Sequence, residues 1–119
     1  MRDVTIKSIC EHHLLPFTGR AHIAYIPDGQ ILGASKLIRI AHFWAARPQL
    51  QERLTVQIAL TIQETIAPLG VGVILECKHN CIACRGVSDS NAVMVTSKLL
   101  GALMDKPQAR AEFMSLIRK

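Results

Sequence analysis

Four consecutive residues near the start of the chain, Cys10-Glu11-His12-His13, and a second group at His79-Asn80-Cys81 carry side chains suited to holding a transition metal. Thiolate and imidazole together favour zinc. Cys10 and His13, at three-residue spacing, can reach one ion from a single turn, and Cys81 can complete the set from a segment lying alongside. Three protein ligands leave a coordination position for water, the arrangement of a catalytic zinc site, whereas four close it. Cys84 offers a fourth ligand, because Cys81-Ile82-Ala83-Cys84 is a C-x-x-C. The open set is preferred here, since strand alternation continued past Cys81 turns Cys84 to the opposite face. His12 and His79 are then free for proton transfer, which suits a side chain with a pKa of about 6.5.

Two further groups have chemical meaning. Ser35-Lys36 with Arg39 places two cations one turn apart at a helix start, a phosphate grip, although a solvated helix face would look the same on spacing alone. Gln51-Glu52 could pair with a purine edge, carboxylate to N–H donors and amide to carbonyl, but an acidic first-turn residue needs no ligand to explain it. His22 and His42 read as ordinary surface or core residues, and Cys77 as core.

The elements that must position these residues follow from periodicity. Residues 4–9 and 18–26 have strand character, so the Cys-Glu-His-His segment lies in the loop between two strands. Ser35 is the expected N-cap of a helix through Ala46, with Leu37, Ile40, Ala41 and Trp44 as its stripe. A second helix starts near Gln49 and carries Leu50, Leu54, Ile58, Ile62 and Ile66 at four-residue spacing, with Gln51 and Glu52 among the polar residues around them. Residues 71–81 alternate as a strand, which directs His79 and Cys81 to one face. A short strand at 92–97 follows, then a terminal helix at 107–118 with Phe113, Leu116 and Ile117 inward. The order predicts an antiparallel α+β domain.

At 119 residues the chain reads as one domain, 1–119, large enough to bury roughly two thirds of its unfolded surface. Hydrophobic residues make up 50% and aromatics only 4%, so the core is aliphatic. The net charge of +5 favours an anionic partner, yet aromatics do not interleave with Lys and Arg as a base-stacking surface requires. Discrete phosphate contacts are expected, without nucleic acid. With no signal-peptide pattern and no stretch approaching the ~20 apolar residues of a membrane span, a soluble cytoplasmic protein is expected, its cysteines ligands or buried thiols.

Five motifs in order resemble the GTP cyclohydrolase I family across essentially the whole chain: Cys-Glu-His-His-Leu-Leu-Pro-Phe at 10–17; Gly33-Ala34-Ser35-Lys36-Leu37 with Arg39; the run from Arg47 to Thr55; His79-Asn80-Cys81 with Arg85-Gly86-Val87; and Val95-Thr96-Ser97. The resemblance implies the tunnelling fold, a four-stranded antiparallel sheet with two helices on one face, joined into a pentameric barrel, with two pentamers stacked. It implies Cys10, His13 and Cys81 as zinc ligands and His12 and His79 as proton shuttles. It further implies Gln51 and Glu52, with Ser35 nearby, as guanine-recognising residues, and Lys36, Arg39 and Arg85 as triphosphate contacts. The implied reaction is hydrolysis of GTP at C8, with ring opening, loss of formate and rearrangement to 7,8-dihydroneopterin triphosphate. Two departures stand out: the chain begins at the first strand, without the helical segment that members carry before it, as a minimal version or a trimmed core would, and Ala92-Val93-Met94 replaces polar and basic residues.

Three other readings make different predictions. A tunnelling-fold module lacking the N-terminal segment would keep zinc and bind a purine or pterin compound without efficient turnover. A structural zinc protein would use Cys10, His13, Cys81 and Cys84 and turn its positive charge on nucleic acid. The related 7-cyano-7-deazaguanine reductase uses a catalytic Cys instead of zinc, and the paired His and the His-x-Cys argue against it.

Overall fold

A computed structural model describes residues 1–84 and 86–118. β1 (Val4–Cys10) alternates as expected: Val4, Ile6, Ser8 and Cys10 point inward, and Thr5, Lys7 and Ile9 outward. It pairs antiparallel with β2 (Pro16–Ile26), from Val4 opposite Ala21 to Ile9 opposite Pro16. β2 pairs antiparallel with β4 (Gly70–His79) along its length, from Phe17 opposite His79 to Ile26 opposite Gly70, and β4 with β5 (Met94–Gly101).

The expected sheet of four antiparallel strands is corrected. Among the described residues the sheet has five strands in the order β3-β1-β2-β4-β5, and β3 (Pro48–Gln49) runs parallel to β1. The chain leaving the first helix passes the end of β1, where Glu11 N–H donates to Gln49 O at 2.9 Å. Pro48 has no N–H to leave unpaired, which suits it to an edge. This pairing also delays the second helix to Gln51, two residues beyond the expected start.

α1 (Ala34–Ala45) and α2 (Gln51–Ile66) cover one face of the sheet. Leu37, Ala41 and Ala45 from α1, with Leu54, Ile58, Ala59, Ile62 and Ile66 from α2, meet Val4, Ile6, Ala21, Ile23, Val71, Val73 and Leu75. The two helices are also joined by Trp44 Nε1, which donates to Thr61 Oγ1 at 2.8 Å. Gly33, not Ser35, is the N-cap of α1, and Ser35 lies inside the first turn.

The opposite face is covered in part as well, so the helices are not confined to one side. α4 (Ala102–Asp105) and α5 (Pro107–Ile117) bring Leu103 and Phe113 onto Ile74, with Ala24, Ile26 and Leu99 around them. Gly72 admits the ring: a Cβ there would stand 2.7 Å from Phe113 Cε2. Leu116, expected inward, is exposed, while Phe113 and Ile117 do pack. Among the described residues no helix is long and apolar enough to cross a membrane.

Candidate metal centre

The turn between β1 and β2 carries the first two candidate ligands, Cys10 and His13. Cys10 ends β1 with its side chain on the buried face, and the chain closes at once: Leu14 N–H donates to Cys10 O at 2.8 Å and Cys10 N–H to Leu15 O at 2.9 Å. Leu14 takes a left-handed conformation, φ 54°, to complete the closure. A non-glycine residue adopts that shape at a cost of about 1–2 kcal/mol, so the loop is held by its surroundings.

Those surroundings are polar contacts from α2 and β3. Arg53 Nη2 donates to Glu11 Oε2 at 2.5 Å, and Arg53 Nε donates to Gln49 Oε1 at 3.0 Å. Gln49 is fully buried and its amide nitrogen donates to Trp44 O at 2.8 Å and to Gln57 Oε1 at 2.6 Å. The hydrogen bond from the Arg53 guanidinium holds the Glu11 carboxyl below its ordinary range.

The third candidate ligand, Cys81, follows the end of β4. The strand stops at His79, and Asn80–Ala83 forms a helical turn, α3. The expected strand through residue 81 is therefore corrected: His79 ends the buried face of β4, and Cys81 is aimed by the turn instead. Cys10, His13 and Cys81 then offer ligand atoms that all lie within 4.8 Å of one another. A tetrahedral zinc site spaces its N and S ligands by roughly 3.3–3.8 Å, so modest side-chain rotations would seat these three atoms on an ion. Cys84 is exposed and lies outside this group. The donor set fits zinc, with a position left for a further ligand.

His79, two residues before Cys81 in the chain, is restrained from two directions. Its ring stacks on Phe17 at 4.5 Å between centroids and 12° between planes, and its Nε2 lies 2.6 Å from Gln51 Oε1. Burial pushes its pKa down from the ordinary value, against an opposing pull from the Glu52 carboxylate. His12 is exposed on the turn, its ring 6.3 Å from that of His13.

The remaining predicted residues divide. Glu52 is exposed at the start of α2, whereas Gln51 is buried, 1% exposed, with its amide bonded inside the protein. Ser35, Lys36 and Arg39 are exposed on α1, and Lys36 and Arg39 line a concavity of about 230 Å³ with Phe43, Trp44 and Thr61. Its lining includes none of the three putting ligand atoms together. Arg85 lies outside the described residues. Phe17, Gln49 and Arg53 were not singled out for any role at the site, although each sits in a motif around it. His22, expected to be an ordinary surface or core residue, is a core one, its Nε2 2.9 Å from Glu76 Oε2.

Comparison with known proteins identifies the family. The sequence model of the family described as GTP cyclohydrolase I matches residues 1–118. The chain is 55% identical over 118 residues to GTP cyclohydrolase 1 of Leptospira biflexa, covering 99% of this chain and 64% of that protein. It is 50% identical to the Rattus norvegicus protein of the same name and 49% identical to the Homo sapiens one, covering 99% of this chain and 49% and 47% of theirs. The chain thus spans about half to two thirds of the length of these relatives. A crystal structure of the archaeosine synthase QueF-Like in the apo form superposes with a TM-score of 0.63 at 17% identity, covering 82% of this chain and 87% of that one. At that identity the likeness is one of fold alone.

Proposed function

The chain belongs to the GTP cyclohydrolase I family, and from that premise we propose that it is the zinc-dependent catalytic core of an enzyme that hydrolyses GTP at C8, releasing formate and forming 7,8-dihydroneopterin triphosphate. The observation that carries this reading is the convergence of Cys10, His13 and Cys81, with a restrained histidine, His79, two residues before Cys81 in the chain. Cys10, His13 and Cys81 would hold the zinc, which when bound supplies the Lewis acidity that makes water a nucleophile at neutral pH.

The chain's own residues account for the rest. Burial favours neutral His79, the form that can accept a proton, while exposed His12, on the turn that carries Cys10 and His13, can exchange protons with solvent. Glu52 presents a carboxylate at the start of α2, where guanine N–H donors can pair with it; adenine would leave it without those donors, an error that costs heavily. Lys36, Arg39 and Arg85 are proposed to hold the triphosphate, with Ser35 near the base. Lys36 and Arg39 line a concavity apart from the zinc ligands, which supports a site completed between subunits of a homo-oligomer. β5 pairs only with β4, and β1 meets β3 only through Ile9 and Cys10, so among the described residues both sides of the sheet offer edge to another copy.

Two substitutions separate metal binding from proton transfer. Cys81→Ser is expected to lose zinc and turnover together, and His79→Ala to keep zinc, measured by metal analysis, while losing most of its turnover. Full turnover by either variant would contradict the assignment.

A further inference from the structure

The buried amide of Gln51 has its two ends assigned by what surrounds it. Its nitrogen faces Met94 O at 2.9 Å, Thr96 Oγ1 at 3.0 Å and Leu75 O at 3.3 Å. Carbonyl oxygens only accept, so the NH₂ group must be the end turned toward them. Oε1 is then the end that lies 2.6 Å from His79 Nε2. An amide oxygen also only accepts, and so the hydrogen in that bond belongs to His79 Nε2.

The hydroxyls beside it are consistent with one direction of donation. Thr55 Oγ1 spends its hydrogen on Gln51 O, the preceding turn's carbonyl, at 2.8 Å. In the 2.7 Å contact between Thr55 Oγ1 and Thr96 Oγ1, Thr96 is therefore the donor, which leaves its lone pairs to receive the Gln51 NH₂ group. Gln51 and Thr55 are each 1% exposed and His79 is 8% exposed, so an alternative orientation would strand buried donors and acceptors without water to satisfy them. Phe17, stacked on the imidazole, fixes the plane that the amide fixes in rotation.

We propose that Gln51 is a positioning residue, which with Thr96 and Thr55 locks His79 in the tautomer protonated at Nε2 and leaves Nδ1 as the ring nitrogen with a free lone pair. This rests on the reading of His79 as a proton-transfer residue, and it changes the part given to Gln51: its side chain acts on the histidine from behind, and Glu52 alone of the pair faces outward. The arrangement also ties β5 to the site, because two of the three acceptors that orient the amide belong to Met94 and Thr96.

The tautomer can be read directly from the ¹⁵N resonances of the His79 ring in the zinc-loaded protein without GTP, which keeps this test apart from the assay for pterin formation. The expected spectrum shows Nε2 protonated and Nδ1 not; the reverse tautomer in the unaltered protein would overturn the proposal. Gln51→Met keeps the length of the side chain and removes its hydrogen bonds. It is expected to give a mixture of tautomers and to lower kcat roughly 10- to 100-fold, with zinc content and the KM for GTP within about twofold, given that a positioned proton-transfer group contributes about 10²–10⁴-fold. A raised KM with unchanged kcat would mean that Gln51 contacts the substrate, and the proposal would fail. Should Gln51→Met not fold, Thr96→Val carries the same spectroscopic test, with Thr96→Ser expected to rescue the tautomer; an unaltered His79 spectrum in Thr96→Val with full kcat would also overturn it.

Discussion

Glu11 and Arg53 join the β1–β2 turn to the first turn of α2: the guanidinium Nη2 lies 2.5 Å from the carboxylate, while its Nε is held by Gln49. Cys10 and His13 flank Glu11 in sequence, so the ion pair sets the entry and exit of a turn that is otherwise exposed at His12, His13 and Leu14. The pair is itself partly exposed, so it contributes little to the stability of the fold, and its proposed part is to orient Cys10 and His13.

Arg53→Ala should therefore loosen the turn without unfolding the domain. Zinc affinity is expected to fall roughly 10- to 100-fold, the range typical of lost outer-sphere support. Competition with a chromophoric chelator measures it, and circular dichroism should remain that of the unaltered protein.

Gly19 is opposite Cys77 in the β2–β4 ladder, and a Cβ there would stand 1.9 Å from Glu76 O and 2.6 Å from Cys77 Cα. Both neighbours are backbone, so the two central strands must separate to admit it. Gly19→Ala is expected to destabilise the domain by roughly 3–5 kcal/mol, at the upper end for a single substitution. The midpoint of denaturant unfolding would report it; a change below about 1 kcal/mol would show that the ladder tolerates the insertion.

Burial pushes the Cys77 thiol up to about 12 from its ordinary value of 9.0. Unfolded chains release that proton near 9 and the folded protein keeps it to about 12, so between these values the unfolded state binds fewer protons. Stability should consequently fall as pH rises through this window, by at most about 1.4 kcal/mol per pH unit from this group. Comparing unfolding at pH 8 and pH 10 in the unaltered protein and Cys77→Ala isolates the effect, which the variant should lack. At pH 8 a thiol reagent should label exposed Cys84 well before Cys77.

Glu52→Gln replaces an acceptor for guanine N–H groups by an amide that can present a donor. Hydrogen bonds to a charged group are worth about 1.5–3 kcal/mol, so kcat/KM for GTP should fall roughly 10- to 100-fold. Steady-state kinetics with GTP check this, and an unchanged kcat/KM would remove Glu52 from the recognition of guanine.

Part of the grouping of Cys10, His13 and Cys81 was legible because those signals are local or repeat regularly. Cys10 and His13 share one turn, and the alternation of Val71, Val73, Leu75 and Cys77 brings β4 toward His79 whatever follows. Cys81 was harder: His79 and Cys81 at two-residue spacing mimic a strand, but Asn80–Ala83 coils, and that depends on contacts the alternation does not encode. β3 is only two residues long, too short for periodicity to reveal, and its pairing depends on where α1 releases the chain. Gln51 reads in sequence as half of a pair, with Glu52, that could meet a purine edge, and nothing local marks it as buried. Its burial comes from β4 and β5 closing over it, with Leu75, Met94 and Thr96 supplying partners from distant parts of the sequence. The face occupied by α5 was equally hidden, since Phe113 needs the absence of a side chain at Gly72.

The most direct measurement incubates the protein with GTP before and after removal of metal by a chelator, then oxidises the mixture and records pterin fluorescence. Zinc-loaded protein should form pterin, stripped protein should form none, and readded zinc should restore it. Equal pterin formation by the stripped protein, or tight GTP binding with no pterin from the zinc-loaded one, would contradict the account.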